Sequence, residues 1–165
     1  MRHPGGATIG VLVGGAVAVA GSLMPWATAR LDLTGVFSLF PPDFRQRVLG
    51  VELGGNLTLV GGVLILAAGV LLVTVPRHAR WIGVGALVAA AMTFMGALYH
   101  LIRIGPLAVD AIARASGHQP AELGEVSVTP GLGPFLVLAA ALAAMVAGVL
   151  LAAGRSGGVR PRPDL

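Results

Sequence analysis

Tyr99, His100 and Arg103 are the one compact polar group in an otherwise apolar chain, and their types set the chemistry open to it. On a helix Tyr99 and Arg103 stand i,i+4 and His100 and Arg103 stand i,i+3, so the three crowd one helix end. A guanidinium beside an imidazole and a phenol can contact a lipid phosphate or a quinone head, with Arg103 as the cation and His100 as a donor. The plainer use of such residues is to anchor a helix at the membrane interface, as aromatic and basic belts do. Glu52 and Asn56, at the start of an earlier apolar run, are placed to face this group, and a Glu52–Arg103 pair would clamp two helices together.

No other reaction chemistry is spelled out. The chain has no cysteine, which removes disulfides, thiolate metal sites and thiol nucleophiles together. Enzymes and ion-coupled carriers in membranes keep ionisable groups at mid-bilayer, where they are costly and therefore functional. The apolar runs here hold no aspartate pair, no serine with a base and no relay of carboxylates. His100 has no second histidine in a span with which to hold a haem. The loop acids, Glu52, Glu122 and Glu125 among them, show no nucleophile–base or metal-ligand spacing. We therefore expect no catalytic, cofactor-binding or metal-binding residues and no enzymatic activity.

The elements that must position these residues follow from composition. Of 165 residues 56% are hydrophobic and 11% charged, with a mean hydropathy of +0.88, too few charges for a soluble domain. Four apolar runs, about 7–26, 54–75, 81–103 and 131–153, are free of Asp, Glu, Lys and Arg in their interiors. About 20 apolar residues in helix span a bilayer, and runs that are continuous rather than alternating exclude a barrel. The fold class is all-α: an integral membrane four-helix bundle forming a single transmembrane domain. The first run follows Arg2 and precedes Ala27-Thr28-Ala29, as a cleavable leader would, but its length suits a retained span. Two long loops, 27–53 and 104–130, and one tight connection, 76–80, make two hairpins.

Arginine placement sets the orientation. The short segments and the tail hold Arg2, Arg77, Arg80, Arg155, Arg160 and Arg162, whereas the much longer loops hold Arg30, Arg45, Arg47 and Arg114. Positive residues favour the cytoplasm, so both termini are expected inside a bacterial cytoplasmic membrane and both long loops outside. Loop one mixes Val36-Phe37-Ser38-Leu39-Phe40 with Asp43-Phe44-Arg45-Gln46-Arg47, as a packed or interfacial segment would. Loop three carries Asp110 and Arg114 at i,i+4 with Leu107, Val109 and Ile112, a short surface helix. Together they predict an ordered outer cap.

Small residues recur every four positions: Gly6, Gly10 and Gly14; Gly54, Thr58 and Gly62; Gly85, Ala89, Thr93 and Ala97; Ala140, Ala144, Gly148 and Ala152. Such ridges let helices approach closely where no hydrophobic drive exists, and serve equally to close a bundle or to dock a partner. The stretch Ala68-Gly69-Val70-Leu71-Leu72 recurs at 147–151, a match short enough to arise by chance in membrane helices. The tail, 154–165, is rich in glycine, proline and arginine and orders only against a neighbouring subunit or an anionic lipid surface. A net charge of +4 without a basic cluster interleaved with aromatics gives no nucleic-acid partner.

Gly21-Ser22-Leu23-Met24-Pro25-Trp26 closing the first run, Gly50-Val51-Glu52 and Gly55-Asn56-Leu57-Thr58-Leu59 opening the second, and Pro130-Gly131-Leu132-Gly133 opening the fourth carry a resemblance. The chain resembles a class of small, mostly uncharacterised actinobacterial four-helix membrane proteins with a Pro-Trp motif ending the first helix. All eleven basic residues are arginine, in keeping with a high-GC bacterial source. The resemblance implies the fold and no reaction. In the Pro-Trp motif proline stops the helix and the tryptophan is expected at the membrane interface. With the lipid bilayer and other membrane subunits as expected partners, the chain reads as a non-catalytic accessory or scaffold subunit of a membrane complex. The alternative is a small-molecule or lipid carrier with its site at Tyr99, His100 and Arg103.

Overall fold

The computed structural model describes residues 5–32, 43–53, 55–117 and 126–154. Among these, four helices are long and apolar enough to cross a membrane. They are α1 (Gly6–Leu23), α2 (Asn56–Thr74), α3 (Ala79–Ile102) and α5 (Gly133–Ala152). Each lies within or across an expected span, because a continuous apolar run in lipid must satisfy its backbone internally. The first helix stops three residues short of the expected Trp26, since Pro25 has no N–H to continue the ladder and opens a strand instead. Pro76 starts the 3-10 turn Pro76–His78 that links α2 to α3, and Pro134 sits in the first turn of α5.

The helices close a ring in which α1 and α3 each pack against both α2 and α5. Lipid is as apolar as leucine, so association rests on close van der Waals fit rather than on burial from water. The glycines supply that fit. A methyl group on Gly10 would lie 3.1 Å from Cβ of Ala147, and one on Gly14 would lie 3.0 Å from the Ala140 carbonyl and 3.1 Å from Cβ of Ala144. Gly62 meets Val19 of α1, Gly61 meets the Thr93 hydroxyl of α3, and Gly148 meets Gly83 and Leu87 of α3. The ridges therefore close this bundle; Gly6 and Gly85 alone among the described ridge glycines face open space. The two copies of the repeated pentapeptide sit alike: Gly69 packs on Leu12 of its hairpin partner α1, and Gly148 packs on its hairpin partner α3.

Hydroxyls in the bundle bond inward. Ser22 Oγ lies 2.8 Å from the Ala18 carbonyl and 3.1 Å from Thr58 Oγ1, which donates to the Gly55 carbonyl at 2.7 Å. Thr93 donates to the Ala89 carbonyl at 2.7 Å. The Ser22–Thr58 contact ties α1 to α2. Interhelical bonds of this kind contribute on average about 0.6 kcal/mol. Thr58→Val is thus expected to lower stability by roughly 0.5–1.5 kcal/mol, read from unfolding in detergent, and a change above about 3 kcal/mol would show the contact to be more than a local tie.

At one end of the bundle the long loops build the cap. Strands β1 (Pro25–Asp32), β2 (Asp43–Leu49) and β3 (Val126–Pro130) form an antiparallel sheet in the order β2-β1-β3. Alternation explains the strands: Ala27, Ala29 and Val48 are buried, while Arg30, Arg45, Arg47, Ser127 and Thr129 face out. Helix α4 (Ile104–Ser116) covers the inner face with Ile104, Ala108 and Ile112, spaced by four, and ends at Gly117 in the left-handed conformation (φ 71°). The surface helix of loop three is there. The sheet is the unexpected part: an all-α reading holds for the bundle, and the cap adds three short strands. Since β1 comes from the first hairpin and β3 from the second, their pairing staples the two hairpins together. Residues 36–42, Glu122, Glu125 and the tail from Arg155 lie outside the described residues, as does Gly54.

Candidate functional site

Trp26 organises the junction of bundle and cap. It is 0% exposed, and its indole N–H donates to the Gly21 carbonyl at the end of α1 over 2.9 Å. That bond adds a shorter donor to a helix-end carbonyl that otherwise accepts only the Met24 N–H at 3.3 Å. Its seat is made of glycine: a methyl on Gly50 would come within 2.5 Å of Nε1, and one on Gly133 would overlap Cδ1. The Trp26 carbonyl accepts from Gly131 N–H at 2.7 Å, joining β1 to the approach of α5. The expectation of an interfacial tryptophan is therefore corrected. Proline does end α1, but it turns the next residue back over the helix end rather than out to the headgroups. Trp81, 76% exposed at the opposite end of the bundle, is the one placed for an interface.

The polar trio at the end of α3 divides around this tryptophan. Tyr99 and Arg103 face outward, with Arg103 Nη1 donating to the Tyr99 hydroxyl at 3.5 Å and its guanidinium carbon 5.9 Å from the Tyr99 ring centre. The bond is long, so the contact is chiefly a cation over a ring face. His100, one residue and about 100° further round the helix, is half-buried between rings. It stands edge-on to Trp26 at 5.7 Å and to Tyr99 at 5.5 Å. The Glu52–Arg103 clamp does not form. Glu52 Oε2 instead accepts the Leu49 N–H of its own turn at 2.8 Å, closing the link between β2 and α2.

A second feature has no counterpart in the sequence reading. Between β2 and α4 lies an open cleft of about 360 Å³, lined by Gln46, Val48 and Glu52 on one wall and Ala111, Ile112, Arg114 and Ala115 on the other. Its floor is aliphatic and its rim carries one carboxylate and one guanidinium. Each charge is tethered to nearby backbone, Glu52 through its carboxylate Oε2, which accepts from Leu49 N–H, and Arg114 through its Nε, which donates to the Asp110 carbonyl at 3.2 Å. The mixed segment around Gln46 and the helical spacing of Asp110 and Arg114 are visible separately in the sequence. Nothing in the order of residues said that strand and helix would meet.

A family model described as tryptophan-associated transmembrane protein matches residues 8–162, which takes in α1 from Thr8 onward, the other three spanning helices, the described cap and the residues of the Trp26 seat and the cleft. The chain belongs to that family. Neither a curated protein nor a solved structure matches the chain. Family membership agrees with the four candidate spans and with a protein in contact with the lipid bilayer. The match includes both halves of the Trp26 seat and both walls of the cleft.

Proposed function

We propose that this tryptophan-associated transmembrane protein is a non-catalytic accessory or scaffold subunit of a larger bacterial membrane complex with a part in tryptophan handling. In this reading it sits in the cytoplasmic membrane with both termini inside and the cap outside. The observation that supports it is the character of the bundle. The spans press against one another through glycine and alanine, and Ser22, Thr58 and Thr93 spend their hydroxyls on bonds within the bundle. Such a bundle is a support, and the groups able to recognise anything stand on the cap. Purification in mild detergent after cross-linking tests it. A stoichiometric membrane partner recovered with the chain is the expected result; recovery of the chain alone, monodisperse and with a protease-sensitive tail, would overturn it.

The second reading, a lipid or small-molecule carrier, draws on the exposed Tyr99–Arg103 pair beside Ile102, which is 75% exposed. There Arg103 would contact a lipid phosphate or quinone head and Tyr99 would hold it in place. Arg103→Gln is then expected to reduce co-purified anionic lipid at least several-fold while changing stability by less than about 0.5 kcal/mol, as surface changes do. Unchanged lipid content by mass spectrometry would leave Arg103 an interfacial anchor.

A further inference from the structure

We propose that the cleft between β2 and α4 binds a small zwitterion, a free α-amino acid with an apolar side chain. Three observations on the cleft converge on that class. The first is size: about 360 Å³ lies at the small end of ligand pockets, fitting a metabolite rather than a lipid tail or a peptide. The second is charge. Glu52 and Arg114 line one cleft from opposite walls, yet no ion pair joins them, and Glu52 is engaged by the backbone of Leu49 and Arg114 by the backbone of Asp110. Two opposite charges that line one cleft unpaired offer a partner to each charge of a ligand that carries both an ammonium and a carboxylate. Glu52 takes the ammonium and Arg114 the carboxylate, with the planar guanidinium suited to two parallel hydrogen bonds.

The third observation is the floor. Val48, Ala111, Ile112 and Ala115 offer an aliphatic surface between the charges, and Gln46 adds an amide able to donate or accept beside it. An amino acid lying across the cleft sets its side chain on that surface while its charged end meets both walls. The inference goes beyond the accessory role and is separable from it. A chain recovered alone would end the accessory reading and leave this one standing, and a cleft that takes no amino acid would do the reverse.

Equilibrium dialysis of labelled amino acids against the full-length protein in nanodiscs tests it, with an aliphatic and aromatic panel together with aspartate and lysine. The expected result is saturable binding of one or more apolar members. N-acetylation, which removes the ammonium, and conversion to the amide, which removes the carboxylate, should each weaken binding roughly tenfold or more, the size of one charge-assisted hydrogen bond. Glu52→Gln keeps an acceptor for Leu49 N–H and should make binding insensitive to N-acetylation; Arg114→Gln should make it insensitive to amidation. The derivatives act on the unaltered protein, so a variant that fails to fold does not blunt the test. Absence of saturable binding by any member up to about 10 mM, or binding that both derivatives leave unchanged, would overturn the proposal.

Discussion

Replacing Trp26 with alanine is expected to cost about 3–5 kcal/mol of stability, far more than any change on the lipid-facing surface. The indole is fully buried, and its removal opens a cavity bordered by the backbones of Gly50 and Gly133 and by the edge of His100. Those walls belong to the β2–α2 turn, the start of α5 and the end of α3, so they cannot all collapse inward at once. The Gly21 carbonyl also loses the shorter of its two donors and keeps only the Met24 N–H at 3.3 Å. Trp26→Phe should recover most of the packing and cost about 0.5–1.5 kcal/mol for the lost hydrogen bond. Unfolding in detergent measures both. A loss below about 1 kcal/mol for the alanine variant would mean that the side chain is the interfacial anchor its place after Pro25 suggests.

Gly15→Ala should be nearly as damaging as a far larger change elsewhere. A methyl there would stand 2.5 Å from the Leu66 nitrogen and 2.7 Å from its Cα. The obstacle is backbone, which cannot rotate aside, so α1 and α2 must separate or slide and give up contacts along their length. Overpacking of this kind costs about 1–3 kcal/mol. Gly85→Ala is the matched comparison: nothing lies within 4 Å, and removing a helical glycine should be neutral or stabilise by up to about 1 kcal/mol. Gly61→Ala falls between them, since the Thr93 hydroxyl that it meets belongs to a side chain able to change rotamer. Equal effects at positions 15 and 85 would show that helix approach is not set by these glycines.

Particular residues show how far the order of amino acids carries. The spans are legible because lipid forces each apolar run to bond within itself, so composition alone decides helix. The small-residue ridges are legible as ridges, but which ridge meets which is not: Gly14 finds α5 and its neighbour Gly15 finds α2. The sheet is hidden for a different reason. Its central strand carries Ala27 and Ala29 at the buried positions, weak strand formers that gain their place only when paired with 44–48 and 126–130 across long loops. Pro25-Trp26 reads the same whether the ring turns to lipid or back over the helix end. Gly50 and Gly133, remote in sequence, decide between these. The cleft is least legible, since Glu52 and Arg114 are 62 positions apart and are brought together only by the cap.

The proposed arrangement, two hairpins crossing the bilayer with the cap outside, would put Ser127 of β3 and His78 of the α2–α3 connection on opposite sides of the membrane. Both are exposed, and a chain without cysteine allows each to be replaced singly by one. In intact cells a membrane-impermeant maleimide should label Ser127→Cys and spare His78→Cys, which should react only after lysis. Labelling of both positions in intact cells, or of His78→Cys alone, would contradict the two-hairpin arrangement with an outer cap.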